Sequence, residues 1–117
     1  MKKIIFYSYL KCSTCRKAEK WLKSKDFEYQ LIDIVKEPPL VNYLNLALKQ
    51  YSDDKKRIFN TRGKAFKTLN IDIYDLSKEE IIQLLLSDGK LIKRPFLISG
   101  EKIILGFNEA EYLNQLL

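Results

Sequence analysis

Apolar and polar residues follow two different periods along this chain, and the changes between them predict its elements. Lys3 to Tyr7 is rich in β-branched and aromatic residues, which is typical of a strand. From Ser13 to Lys25 apolar residues recur at helical spacing, with basic residues on the opposite face. Glu28 to Val35 alternates again as a second strand. The pattern predicts a β-α-β unit, whose crossover requires parallel strands and a right-handed connection.

The middle of the chain has helical spacing. Pro39 is suited to the first turn of a helix that runs to about Gln50, and short helical pieces are expected over 53–69. Ser77 followed three residues later by Glu80 is a capping box, which predicts a helix through Leu86. Residues of roughly 38–88 are therefore expected to form a helical insertion.

The last quarter returns to strands. Phe96 to Ser99 and Lys102 to Leu105 are predicted to pair as a hairpin through Gly100-Glu101. Asn108 is placed to cap a final helix through Leu117. The complete order, β-α-β, helical insertion, β-β-α, predicts an α/β protein with a thioredoxin-like fold, in one domain over 1–117.

Length and composition narrow the class of protein. A chain of 117 residues is large enough for one hydrophobic core. No apolar run approaches the ~18 residues that a transmembrane helix needs. Met1-Lys2-Lys3 resembles the start of a signal peptide, but Ser8 interrupts the apolar run and no small-residue cleavage site follows. Two cysteines at active-site spacing in a chain with no export signal predict a protein of the reducing cytoplasm. Nothing in the sequence demands more than a monomer.

Charge and residue types exclude several kinds of site. The net charge is +6, from 21 basic and 15 acidic residues, which favours anionic partners in general. The basic residues are scattered, so no direct nucleic-acid binding is expected. Histidine is absent, which excludes catalytic pairs and metal sites that need an imidazole. Two cysteines cannot complete a zinc site by themselves, so neither a metal nor a bound cofactor is expected.

The candidate chemistry lies in Cys12-Ser13-Thr14-Cys15, between the first strand and the first helix. A thiol at a helix N-terminus faces unpaired N–H groups and the positive end of the helix dipole, which favour the thiolate. Lys11 and Arg16 add positive charge beside the pair. We predict that Cys12 is the nucleophile and that Cys15, one turn further on, resolves its adducts. A purely structural disulfide is disfavoured, because so short a loop removes little chain entropy.

Arg94-Pro95 precedes a predicted strand, where thioredoxin-like folds place a cis proline next to the redox cysteines. We predict a cis bond here, with a trans proline at the start of the strand as the alternative. A cis bond would bring Arg94 beside Cys12, where a guanidinium stabilises a thiolate and holds an anionic substrate or partner. Asn60, Thr61 and Arg62 are expected either to form a polar lip of the same pocket or to serve as loop and cap residues.

Four motifs in this order resemble the arsenate reductase (ArsC)/Spx/MgsR family over nearly the full chain. They are Tyr9-Leu10-Lys11-Cys12-Ser13-Thr14-Cys15-Arg16-Lys17-Ala18, Asn60-Thr61-Arg62-Gly63-Lys64, Leu91-Ile92-Lys93-Arg94-Pro95 and Gly106-Phe107-Asn108-Glu109. The resemblance implies a thioredoxin-like fold with a helical insertion, Cys12 as the reactive thiol and Arg94 as the anion-binding residue. The sequence is similar above all to small uncharacterised members with both cysteines.

The family has two functional branches, and both stay open. Its glutaredoxin-coupled arsenate reductases use three arginines, of which only Arg94 is matched here; Asn60 and Gly106 fall at the other two positions. The resemblance therefore implies a thiol-dependent oxidoreductase served by thioredoxin or by glutathione and glutaredoxin, with a substrate other than arsenate expected. The Spx-type branch implies instead a redox-sensing regulator that binds the C-terminal domain of the RNA polymerase α subunit.

Overall fold

The computed structural model describes residues 3–117, which form four strands, five α-helices and three short 3₁₀ helices. Met1 and Lys2 lie outside the described residues, and the prediction that the first residues do not form a signal peptide falls partly on them. The strands are β1 (Ile4–Ser8), β2 (Tyr29–Asp33), β3 (Phe96–Ser99) and β4 (Lys102–Leu105). The α-helices are α1 (Ser13–Ser24), α2 (Val41–Gln50), α3 (Lys64–Leu69), α4 (Lys78–Ser87) and α5 (Glu109–Leu116). The 3₁₀ helices span Lys55–Ile58, Ile73–Asp75 and Gly89–Leu91.

The four strands form one mixed sheet in the order β2-β1-β3-β4. β1 runs parallel to β2, with Phe6 opposite Leu31, and antiparallel to β3, with Phe6 opposite Leu97. β3 and β4 form an antiparallel hairpin. The predicted β-α-β unit, the hairpin and the α/β class are confirmed, and the cysteine loop leaves the end of the central strand β1.

The alternation of side chains along β1 divides the core between the two faces of the sheet. On one face, Phe6 packs with the buried residues of α1 and α5, including Leu22 and Tyr112. On the other face, Tyr7 packs with α2, α4 and the loops of the insertion. The helical insertion thus supplies half of the core, and it also leads the chain back to β3.

Side chains cap the N-termini of α4 and α5, as the sequence predicts. The Ser77 hydroxyl accepts the N–H of Glu80 at 3.1 Å while the Glu80 carboxylate accepts the N–H of Ser77 at 2.9 Å, which confirms the capping box. The Asn108 side chain accepts the N–H of Glu111 at 3.0 Å.

Two predicted elements have different limits. The second strand ends at Asp33 rather than Val35, because the Asp33 carboxylate accepts the N–H groups of Val35 and Lys36 and turns the backbone out of the sheet. Helix α2 begins at Val41 rather than Pro39, because Leu40 keeps an extended backbone with ψ of 152°. Within residues 3–117, no helix combines the length and the apolarity that crossing a bilayer requires.

Candidate redox site

Cys12 stands at the N-cap of α1, and the local backbone aims its sulfur at the start of the helix. Its extended conformation (φ −94°, ψ 115°) lets Sγ accept the N–H of Cys15 at 3.4 Å. Its own N–H donates to the Tyr9 carbonyl at 2.9 Å, and its carbonyl accepts the N–H of Arg16 at 3.2 Å. The thiol therefore takes the place that a Ser or Asp side chain usually holds at a helix start.

These contacts lower the pKa of the Cys12 thiol. Partial burial opposes ionisation, but hydrogen bonds from the Cys15 thiol, the Cys15 N–H and the Arg94 guanidinium outweigh it, and the positive charge of Arg94 adds to them. Cys12 is only partly buried, so a reactant from solvent can reach it. The site thus combines an accessible sulfur with a stabilised thiolate, as nucleophilic cysteines require.

Cys15 lies in the opposite environment, although both residues are free thiols. Its side chain is fully buried. Burial, followed by its hydrogen bond to Cys12, raises the pKa of the Cys15 thiol to about 12. The Tyr9 N–H and the Ser8 hydroxyl oppose that shift by donating to its sulfur. Cys15 is therefore held protonated and donates to the Cys12 sulfur.

Arg94 reaches the site from the other half of the chain. The Arg94–Pro95 peptide bond is cis, which confirms the prediction, and Pro95 is buried. The Arg94 guanidinium lies beside Cys12, where its hydrogen bonding and charge lower the pKa of the thiol, and its Cζ lies 5.0 Å from the centre of the Tyr9 ring. Its Nη1 also points to the Lys90 carbonyl at 3.5 Å. The cation is thus directed at the thiol by an aromatic face and a carbonyl.

The insertion holds the segment that precedes Arg94. Phe59 and Ile92 form an antiparallel bridge. The N–H of Asn60 donates to the Leu91 carbonyl and the N–H of Lys93 to the Ile58 carbonyl, both at 2.8 Å. The insertion therefore positions the guanidinium through main-chain pairing more than 30 residues apart in sequence.

The remaining predicted site residues occupy three kinds of position. Asn60 lies close to Arg94, since its Nδ2 points to the same Lys90 carbonyl at 3.5 Å. Arg62 is exposed and lines a neighbouring cavity rather than the cysteine site. Arg16 donates through Nη1 to the Leu10 carbonyl at 2.7 Å, so it braces the cysteine loop, and Lys11 is exposed on that loop. Their predicted roles in binding a substrate or partner stay predictions.

Two further residues contribute to the site, and neither is among the predicted site residues. Ser8 ends β1, and its hydroxyl contacts the Cys15 sulfur. Tyr9 is half-buried, and it contacts Cys12, Cys15 and Arg94. Their position directly between β1 and the cysteines is the signal that could have identified them.

No group of three or more thiol or carboxylate residues within the described range, 3–117, is placed to hold a metal ion. The arrangement offers the chemistry of two unequal thiols and a guanidinium.

A mixed four-stranded sheet, a Cys-x-x-Cys pair at the first helix and a cis proline beside it define a thioredoxin-like α/β protein. The model of the ArsC family matches residues 7–115. The chain belongs to the ArsC family.

Relatives and solved structures agree with that assignment. The chain is 41% identical to the uncharacterized protein YusI of Bacillus subtilis (strain 168), over 93% of this chain and 94% of YusI. It is 33% identical to the global transcriptional regulator Spx of Lactiplantibacillus plantarum, over 92% of this chain and 82% of Spx. A crystal structure described as a possible arsenate reductase from Streptococcus mutans UA159 superimposes with a TM-score of 0.88 at 37% identity, covering 97% of this chain and 99% of that one.

Proposed function

We propose that the protein is a cytoplasmic thiol–disulfide oxidoreductase in which Cys12 is the nucleophile and Cys15 the resolving thiol. The observation that carries this proposal is the contact of the Cys12 sulfur with the Cys15 N–H at 3.4 Å and with the Arg94 guanidinium, because it combines a stabilised thiolate with a neighbouring thiol.

In the first step the Cys12 thiolate attacks one sulfur of a substrate disulfide. A Cys12–substrate disulfide forms, and the other substrate sulfur leaves with the electron pair of the broken bond and takes up a proton. The Arg94 guanidinium, which stabilises the thiolate, lies beside the reacting sulfurs and is placed to attract an anionic substrate or partner.

The second step needs the buried Cys15 thiol to ionise. Burial raises its pKa, and the Cys12 sulfur raises it further by hydrogen bonding and by its charge. Once Cys12 has entered a mixed disulfide its negative charge is gone, so those two contributions end, while the Tyr9 N–H and Ser8 hydroxyl still favour the Cys15 thiolate. Cys15 then becomes nucleophilic when an adduct is present to be resolved.

The Cys15 thiolate attacks the Cys12 sulfur, forms the Cys12–Cys15 disulfide and releases the second substrate thiolate. The substrate disulfide has then gained two electrons and the protein dithiol has lost two. A dithiol such as thioredoxin, or two molecules of glutathione with glutaredoxin, restores the protein by the reverse exchanges.

The test compares Cys12→Ser and Cys15→Ser in turnover of a small neutral disulfide with thioredoxin as reductant. Cys12→Ser should lower turnover by at least about 10³-fold, because the other thiol, Cys15, is fully buried. Cys15→Ser should form one equivalent of mixed disulfide and stop there. Full turnover by Cys12→Ser would overturn the proposal, and unimpaired turnover by Cys15→Ser would overturn the resolving role.

Similarity to Spx over 92% of this chain favours a second candidate, a redox-sensing regulator that binds the C-terminal domain of the RNA polymerase α subunit. In that case Cys12 and Cys15 would sense oxidants rather than turn over a substrate. A stable complex with the isolated α domain, formed by one redox state of the pair and not the other, would support regulation. Turnover without such a complex would support the enzyme.

A further inference from the structure

A cavity with an excess of positive charge lies next to the redox site. Its volume is about 480 Å³, and four cationic residues line it against a single carboxylate, Asp54. The four are Lys56, Arg57, Arg62 and Lys93. We call this feature the basic cavity; neither the nucleophile nor the resolving thiol lines it.

The cations of the basic cavity have no carboxylate partner within the part of the chain that the structure describes. Over residues 3–117 the single ion pair is Lys23 with Glu19, on α1. Asp54 instead accepts a hydrogen bond from the hydroxyl of Tyr74 at 3.3 Å. The positive charge of the cavity is therefore available to a ligand.

The backbone makes room for one of these cations. Gly106 has a φ of +73°, and a Cβ built there would lie 3.2 Å from Cε of Lys93. The Lys93 side chain thus lies close over Gly106, where any other residue would crowd it and would also strain the backbone. Glycine at this position favours the placement of Lys93 in the cavity wall.

The basic cavity borders the place where Cys12 reacts. Asn60 lies in its wall, and the Asn60 side chain and the Arg94 guanidinium both point to the Lys90 carbonyl, at 3.5 Å each. Lys93 directly precedes Arg94 in the chain. A molecule whose sulfur reaches Cys12 can therefore place a neighbouring segment in the cavity.

We propose that the basic cavity binds an acidic segment, with Asp or Glu side chains, next to the disulfide that Cys12 attacks. Guanidinium and ammonium groups form charge-assisted hydrogen bonds with carboxylates, and about 480 Å³ is within the usual range for a small-ligand site. The inference rests on the proposed oxidoreductase function and specifies its substrate as a disulfide with acidic neighbours.

The experiment uses two short peptides, each with one cysteine joined by a disulfide to 2-thiopyridine. Three Glu residues flank the cysteine in one peptide and three Gln residues in the other. Cys12 bonds the peptide sulfur, and pyridine-2-thiolate leaves with the electron pair and is followed by its absorbance. At low salt we expect the second-order rate constant for thiolate release to be at least about tenfold higher for the acidic peptide, with the difference shrinking as salt screens the charges.

A double variant and a matched control test whether the preference for the acidic peptide comes from the basic cavity. Arg62→Gln with Lys93→Gln should remove most of the preference by lowering the rate with the Glu peptide toward the rate with the Gln peptide. Lys20→Gln with Lys49→Gln removes the same charge from exposed positions outside the cavity and should keep the preference. Equal rates with both peptides, or an equal loss in the control, would overturn the inference.

Failure of the oxidoreductase function gives a different result, since the protein would then not turn over the small neutral disulfide with thioredoxin. Equilibrium binding of the two peptides in their thiol form to Cys12→Ser still tests the cavity. We expect about tenfold tighter binding of the Glu peptide, lost in the Arg62 and Lys93 variant. A single-stranded oligonucleotide that bound in place of the peptides, and lost affinity in the same variant, would instead assign the cavity to nucleic acid.

Discussion

The loop that carries Cys12 and the loop that carries Arg94 meet at one point, yet contacts of different range hold them there. Within residues 9–16 the hydrogen bonds join positions three to six apart, as in the contacts of Cys12 with Tyr9 and of Arg16 with Leu10. The segment before Arg94 instead pairs with residues 58–60 of the insertion. Cys12 is thus positioned by its neighbours in sequence, whereas the position of Arg94 depends on the packing of the insertion.

The largest effect is expected from a core mutation in the insertion, which separates the local support of Cys12 from the support that reaches it through Arg94. Phe59→Ala should destabilise the protein by about 3–5 kcal/mol, because Phe59 is 1% exposed and an Ala leaves a cavity. It should also raise the pKa of Cys12 toward its ordinary value, since Phe59 pairs with Ile92 in the segment that leads to Arg94. Urea denaturation measures the first effect and the pH dependence of Cys12 alkylation the second.

Leu22→Ala is the matched control, in the core on the other face of the sheet. Leu22 is fully buried, so the change should also destabilise, by about 2–5 kcal/mol. The short-range hydrogen bonds of Cys12 and the insertion both remain, so its pKa should stay low. A Cys12 pKa that rose equally in both variants would contradict the contrast between local and long-range support.

Replacing Arg94 itself should have a smaller effect, which appears in the rate of the reaction rather than in stability. Arg94→Gln should lower kcat/KM for a disulfide by at least about tenfold, because a hydrogen bond to a charged group contributes about 1.5–3 kcal/mol. Arg94 lowers the pKa of Cys12, so its loss should move the alkylation profile to higher pH. At pH 7 the thiolate fraction then falls, and raising the pH should restore part of the rate. An unchanged pH profile would remove Arg94 from the account of the thiolate.

The smallest expected effect concerns Tyr9, which links the two loops. Tyr9→Leu removes the ring that lies 5.0 Å from the Arg94 guanidinium, a contact worth about 0.5–1 kcal/mol at an exposed site. We expect a loss of about two- to fivefold in kcat/KM and a slightly raised pKa of Cys12. Tyr9→Phe keeps the ring and the main-chain contacts, so it should behave like the wild type. Equal losses in both variants would implicate the hydroxyl instead.

The contrast also explains which parts of the molecule could be predicted. The β3–β4 hairpin has the predicted limits, since alternation and a Gly-containing turn are local properties. The 3₁₀ helices at Ile73–Asp75 and Gly89–Leu91 were not predicted, because their short turns carry no periodic pattern. The basic cavity was not predicted either, because Arg62 and Lys93 meet only after the chain has folded.

The local pattern of residues in the sequence determined the strands, the helix caps and the placement of Cys12 at the start of α1, because those features depend on residues a few positions apart. Tertiary structure alone decided that Cys15 is buried with a pKa raised to about 12 and that residues 58–60 of the insertion hold the segment before Arg94. The reason is physical: burial and electrostatic contact depend on which distant segments pack around a group, and local periodicity does not specify that packing.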